Sequence, residues 1–344
     1  MTRLVLVTAV LLTVGLPLSW HRGAYVPRTR VYFVAAEAVV WNYAPARVDP
    51  GPWGRRTRYP KVRFIGYADE RFTMRTPEAP WQGILGPMIR GVVGDTLKIV
   101  LWNKSQMPVS LHAHGVRYTP ADEGVPGMHQ HAAGDSLGPG EKHTYTWIVR
   151  PEAGPLPGEP SSKVWLYHSH VHSDQDIYRG LIGTIVVTDP AHARDDGAPD
   201  DVDREFALLW MIFDENTAST PRQEREGNLK HALNGYVFGN LSGLSMREGE
   251  RVRWYVVALG NEADVHTAHW HGSVLKVEGR TYTDVIELAP ASMRVADLIP
   301  DNPGTWLLHC HVSDHMMAGM YTTYTVEPSP PRAVATTAAA ARAP

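Results

Sequence analysis

Two stretches decide the fold: Gly94-Asp-Thr-Leu-Lys-Ile-Val-Leu101 and Gly249-Glu-Arg-Val-Arg-Trp-Tyr-Val-Val257. Each opens on a Gly-acid turn and runs into a short segment rich in β-branched and aromatic residues, the composition of a strand. Val31-Tyr-Phe-Val34, Thr144-Tyr-Thr-Trp-Ile-Val149, Gly183-Thr-Ile-Val-Val187 and Phe206-Ala-Leu-Leu-Trp210 read the same way. Clusters of Gly, Pro, Asn and Asp separate these runs, and no long amphipathic helical window interrupts them. That is the pattern of an all-β sandwich or barrel.

The two opening stretches also mark a repeat. In each half the Gly-acid turn and strand are followed by a His-x-His-Gly strand and then by a second His-x-His before a Gly-rich strand. A duplicated β-sandwich follows, with domain 1 over residues 28–189 and domain 2 over 205–326. The Asp-rich segment 190–204 is expected to link them, and 327–344, Pro, Ala and Thr without periodicity, to be a disordered tail. Arg3 precedes an apolar run from Leu4 to Leu18, so residues 1–27 are read as a signal peptide or anchor. Trp20, His21 and Arg22 blur the cleavage site. The protein is therefore expected outside the cytoplasm, extracellular or in the cell envelope. At 344 residues with a net charge of -3 and a pI near 6.6, it offers no partner surface for nucleic acid. A single cysteine forms no intrachain disulfide.

Ten of the 17 histidines fall into four clusters: His112-Ala-His114, His168-Ser-His170, His266-Thr-Ala-His269-Trp-His271 and His309-Cys310-His311-Val-Ser-Asp-His315. Alternate residues of a strand share a face. Hence His112 and His114, His168 and His170, His269 and His271, and His309 and His311 form paired prongs, enough for several metal ions. Cys310 points to the opposite face from its neighbours, so a second site there is wired covalently to the histidine cluster. Two His, one Cys and a Met, here Met320, form a blue-copper electron-transfer site, and this soft donor set selects copper over hard cations.

These four motifs, in this order, resemble the copper motifs of the multicopper oxidases over roughly residues 29–326. The resemblance implies two cupredoxin-like, Greek-key β-sandwich domains. It implies a type 1 copper on His266, Cys310, His315 and Met320, and a type 2 copper on His112 and His269. A type 3 pair would take His114, His168, His170, His271, His309 and His311. Ser169 stands between His168 and His170, so domain 1 has no thiolate. Two-domain members are similar to homotrimers in which domain 1 of one subunit faces domain 2 of the next. Stretches such as Gly83-Ile-Leu-Gly-Pro-Met-Ile-Arg90 and His231-Ala-Leu-Asn-Gly-Tyr-Val-Phe-Gly239 look closer to the ceruloplasmin and hephaestin branch than to laccases.

That branch implies a substrate. The positions matching its iron(II) ligands are Glu226, His231, Asp314 and Glu262, the last supplied by a neighbouring domain. Carboxylates favour hard Fe(III) over Fe(II), and Asp314 adjoins His315, so such a site would oxidise Fe(II) and pass electrons to copper, with O2 as the acceptor. Glu123 occupies about the place of a proton-relaying acid near the cluster. Laccase-like oxidation of phenols at the same copper is the alternative. Cuprous ion, suggested by Met316 and Met317, and nitrite reduction fit less well. Copper nitrite reductases carry the type 1 cysteine in domain 1 and lack the full type 3 set. A purely storage or electron-transfer role leaves eight histidines unexplained.

The remaining histidines are given bland readings. His129 and His131, beside Met128, are read as solvated loop residues, and His172 lies at most behind the ligands. His21, His143 and His192 show no sequence partner. The basic stretch Arg55-Arg-Thr-Arg-Tyr-Pro-Lys61 is read as a solvated face.

Overall fold

The computed structural model describes residues 25–46, 56–127, 132–261 and 264–329. Most of the expected leader, Met128, His129, His131, Glu262, Arg55 and the tail from 330 lie outside the described residues. The first half supplies β1 (Thr29–Asn42), β2 (Arg58–Tyr67), β3 (Ile89–Val92), β4 (Thr96–Asn103), β5 (His112–Ala113), β6 (Lys142–Ile148), β7 (Ser162–His168) and β8 (Ile182–Thr188). The second half supplies β9 (Arg204–Asp214), β10 (Leu229–Leu233), β11 (Ser245–Arg247), β12 (Val252–Ala258), β13 (His266–Trp270) and β14 (Leu275–Val277). It continues with β15 (Thr281–Thr283), β16 (Val285–Leu288), β17 (Met293–Leu298), β18 (Gly304–Cys310) and β19 (Tyr321–Glu327). Two short helices, α1 (Ser173–Tyr178) and α2 (Ser313–Met317), follow the second His-x-His of each half.

The duplication read from the motifs appears in the strand order. The sheets of the first half run β2-β1-β4-β6 and β3-β8-β7-β5. Those of the second contain β10-β9-β12-β17 and β11-β19-β18-β13 in the corresponding places, extended by β14-β15 and by β16. Both halves are cupredoxin-like β-sandwiches. Each closes over its own core: Phe64, Ile99, Tyr145, Trp147 and Ile185 in the first, Trp210, Trp254, Trp270, Leu308 and Tyr324 in the second.

A third apolar cluster joins the halves. Val164, Leu166, Ile182 and Val186 on the outer face of the β3-β8-β7-β5 sheet pack with Leu209, Met211, Phe213, Tyr255, Val257 and Val295. The molecule is thus four sheets deep. All seven residues of β8 and of β12 are buried because both faces of their sheets are covered. At about 1.5–3 kcal/mol per buried large apolar side chain, this shared layer rivals the net stability of a typical domain. Polar contacts add register: Arg90 makes a bidentate pair with Glu205 at 3.0 and 2.8 Å, and buried Arg253 donates to Ser161 (2.7 Å), Ser162 (2.8 Å) and Asp297 (2.7 and 2.9 Å).

The segment 190–204 is more structured than its composition suggests. It begins with a 3₁₀ turn (Pro190–His192), buries Ala198 and Val202, and ends inside β9. At the other end β19 extends one residue into the expected tail, to Glu327. No helix among the described residues is long and apolar enough to cross a membrane.

Candidate metal centre

Strand alternation builds the centre. On β13, β18 and the residue just beyond β13, Ala268, Trp270, Leu308 and Cys310 enter the core of the second half, while His269, His271 and His309 lie on the opposite face. Cys310, fully buried, meets His266 at the start of β13 and His315 on α2, not on an open loop as expected. Its Sγ lies 4.0 Å from His266 Nδ1 and 3.7 Å from His315 Nδ1, and the two nitrogens are 3.1 Å apart. Burial alone would raise the Cys310 thiol, but hydrogen bonds from His266, His315 and the main chain outweigh it and push it down to about 6. A thiolate is the ligating form of cysteine. Met320, also fully buried, is tied to the site through its main chain, with Cys310 N–H donating to its carbonyl at 3.0 Å.

The orientation of His266 is set by a residue that the sequence does not advertise. Asp264, fully buried, accepts from Ile212 N–H (2.7 Å), Asn261 N–H (3.0 Å) and His266 Nε2 (3.3 Å). With Nε2 donating to this carboxylate, the ring is turned so that Nδ1 faces the thiolate.

The first-half quartet sits on β5, β7 and the residues just beyond. His112 pairs with His168 across the strands, and His114 Nε2 lies 3.2 Å from His168 Nε2. The His170 ring is 5.3 Å from His112 and 5.5 Å from His168. Carbonyls fix the tautomers: His112 Nδ1 donates to Glu123 O (2.9 Å) and His168 Nδ1 to Ser169 O (3.0 Å), leaving both Nε2 lone pairs inward. Burial holds His114 down at about 4 and His168 at about 3, so both are neutral, ligand-ready imidazoles near pH 7. The second quartet repeats this. His309 Nδ1 donates to Cys310 O (2.8 Å), and His309 Nε2 lies 3.2 Å from His269 Nδ1 and 3.0 Å from His271 Nε2. The exposed His311 ring stands 5.4 Å from His269. At these separations one nitrogen of each pair donates to the other when it carries the proton, and with that proton replaced the lone pairs converge on a common point. The donor sets therefore fit soft and borderline metal ions.

Where the second half holds Cys310, the first holds Ser169. Its hydroxyl donates to buried Asp176 (2.7 Å) and accepts from Ser110 N–H (3.1 Å), so a hydrogen-bonded plug fills the place of a thiolate site. Among the described residues no ring contact joins the two quartets. The second quartet faces away from the first half, on the outermost of the four layers. At about 10 Å per layer, its sheet lies about 20 Å from that of the first quartet.

Of the outer positions, His231 on β10 is buried, and its ring stands 5.0 Å from that of His315. Neither of its ring nitrogens has a hydrogen-bond partner, and burial holds it down at about 3. Glu226 and Asp314 are exposed, and among the described residues they do not come within ligand distance of His231 as a set. Glu123 is half-buried beside His112, which its main-chain carbonyl holds. His143 and His192, without sequence partners, face Asp122 (3.5 Å) and Asp200 (3.2 Å), and His172 lies 3.8 Å from Asp176.

Paired cupredoxin sandwiches with a buried Cys-His₂ group and two outward histidine quartets define a redox metalloprotein of the copper-binding type. Two multicopper oxidase family profiles match, over residues 81–192 and 213–330, and the chain belongs to the multicopper oxidase family, an oxidoreductase family whose metal is copper. It is 37% identical to hephaestin of Mus musculus over 341 residues, covering 87% of this chain and 29% of that one. It is 35% identical to ceruloplasmin of Mus musculus (87% and 31%) and 34% identical to the human protein named Ferroxidase HEPHL1 (87% and 29%). The chain thus spans under a third of the length of these relatives. In fold it resembles a crystal structure of a multicopper oxidase (TM-score 0.63, 20% identity, 87% and 89% covered). It also resembles the copper nitrite reductase of Nitrosomonas europaea (TM-score 0.62, 21% identity, 87% and 94% covered).

Proposed function

We propose that this protein is a ferroxidase, coupling four one-electron oxidations of Fe(II) to the reduction of O2 to two waters. His231 carries the reading. A buried imidazole with two unpartnered nitrogens beside His315 is costly unless a ligand satisfies it. Glu226 and Asp314 would complete an oxygen-rich, Fe(III)-favouring shell, with Glu262 from a neighbouring subunit. Similarity to a relative named as a ferroxidase supports the same substrate. Copper bound to His266, Cys310, His315 and Met320 (type 1), to His112 and His269 (type 2) and to the other six quartet histidines (type 3) would supply electron acceptance and O2 reduction. The chain's own part is to hold Fe(II) against the His315 edge, to keep His114 and His168 neutral and the quartet imidazoles oriented, and to deliver protons past Glu123.

The working unit in this reading is a homotrimer, in which domain 1 of one chain meets domain 2 of the next. The outward second quartet, remote from the first quartet of its own chain, supports that assembly. Export, directed by residues 1–27, belongs to the same reading. Oxygen uptake with Fe(II) and with 2,6-dimethoxyphenol, run on wild type and Glu226→Ala, tests the substrate. Selective loss of Fe(II) turnover is expected. Equal Fe(II) rates in both proteins would leave a phenol-oxidising, laccase-type enzyme.

A further inference from the structure

The loop that carries Glu226 is exposed over residues 217–219 and 221–226, yet its neck is gripped by side chains of the other half. On the entering side, Glu215 accepts hydrogen bonds from Tyr43 Oη (2.5 Å) and from Lys61 Nζ, both from the first half. On the leaving side, Tyr59 Oη donates to Asn228 Oδ1 at 2.8 Å, two residues beyond Glu226. The two strands of the neck are closed by Glu215 N–H donating to Asn228 O (3.1 Å) and by Asn216 Nδ2 donating to Arg225 O (3.0 Å). Lys61 is itself fixed, because its ammonium also donates to Tyr178 O and is nearly fully buried. Removing solvent from these charges is worthwhile only where the geometry they enforce matters or the pairing is very good.

We propose that Tyr43, Tyr59 and Lys61 are positioning residues for the substrate-binding loop. The first half of the chain sets where Glu226 stands relative to His231 and His315 in the second, and so tunes capture of Fe(II). This rests on the ferroxidase reading. The clamp touches none of the metal-ligating side chains; its effect is confined to metal ions delivered through Glu226, and phenols oxidised at the His315 edge are indifferent to it. An aligned Glu226 lowers the concentration of Fe(II) needed, while transfer from bound iron, governed by His231, Asp314 and His315, proceeds at its usual rate.

The test is steady-state kinetics on the full-length, copper-loaded protein with Tyr59→Phe and Tyr43→Phe, which keep the buried rings. Lys61→Met is the stronger variant but leaves Glu215 uncompensated, so the two Phe variants decide. Losing one such hydrogen bond should raise KM for Fe(II) about 2- to 10-fold, with kcat and 2,6-dimethoxyphenol oxidation unchanged. Hydrogen exchange of residues 217–227 should quicken alongside. Glu226→Ala run in parallel separates the two ideas. A selective Glu226→Ala defect with neutral Tyr variants overturns the clamp and leaves the iron reading standing. No selective Glu226→Ala defect overturns both. Parallel losses toward Fe(II) and phenol in the Tyr variants would mark them as merely structural and also overturn the clamp.

Discussion

At the scale of single residues, the chemistry turns on protons kept off. Cys310 held near 6, His114 near 4, and His168 and His231 near 3 all have folded values below those of the unfolded chain. The unfolded chain therefore binds more protons in acid, so stability falls as pH drops. For the histidines the loss begins below about 6.5 and runs on toward 3 or 4; for the thiol it runs from about 8.5 down through 6. The metal-free protein should show a melting temperature that declines steadily on acidification from pH 8 to 4, and a flat profile would contradict these assignments. Cys310→Ser should abolish both the blue absorption and steady-state oxidation of any donor, since the thiolate is chromophore and electron inlet together. The two histidine quartets and the Cys310 group are legible because they are written as alternation, x-His-x-His with Cys310 between. Asp264 was not, because a lone carboxylate two residues before a histidine looks like any loop acid until burial is known.

At the scale of elements, strands were legible from composition, but the packing of one sandwich on the other was not. The outer face of the β3-β8-β7-β5 sheet carries the same Val, Leu and Ile as its inner face, so β7 and β8 name no partner layer. α2 leaves no mark in the sequence because a five-residue helix is too short to show periodicity. The connection from β12 to β13 is sensitive to change at Gly260. Gly260 has φ +136°, and a Cβ there would stand 2.1 Å from Asp264 Oδ2. Gly260→Ala should therefore destabilise the protein by about 1–3 kcal/mol. It should also loosen His266, altering the blue absorption band; thermal melts and visible spectra of the copper-loaded variant check both. An unchanged spectrum would show that Asp264 does not hold His266 in place.

At the scale of the whole molecule, one chain keeps its two histidine quartets on layers that do not meet, so O2 reduction in the proposed trimer belongs to the assembly. Light scattering should give three times the chain mass, and a monomer that still reduces O2 would refute a cluster shared between subunits. The shared apolar layer couples the two halves within each chain, so they should melt in one transition. Cys310 is the sole thiol, sealed in the core of the second half. A thiol-reactive dye added to metal-free protein thus has a single target, and it waits behind the β13–β18 pairing. Its labelling rate becomes a clock for how often that core breathes, readable without any engineered probe.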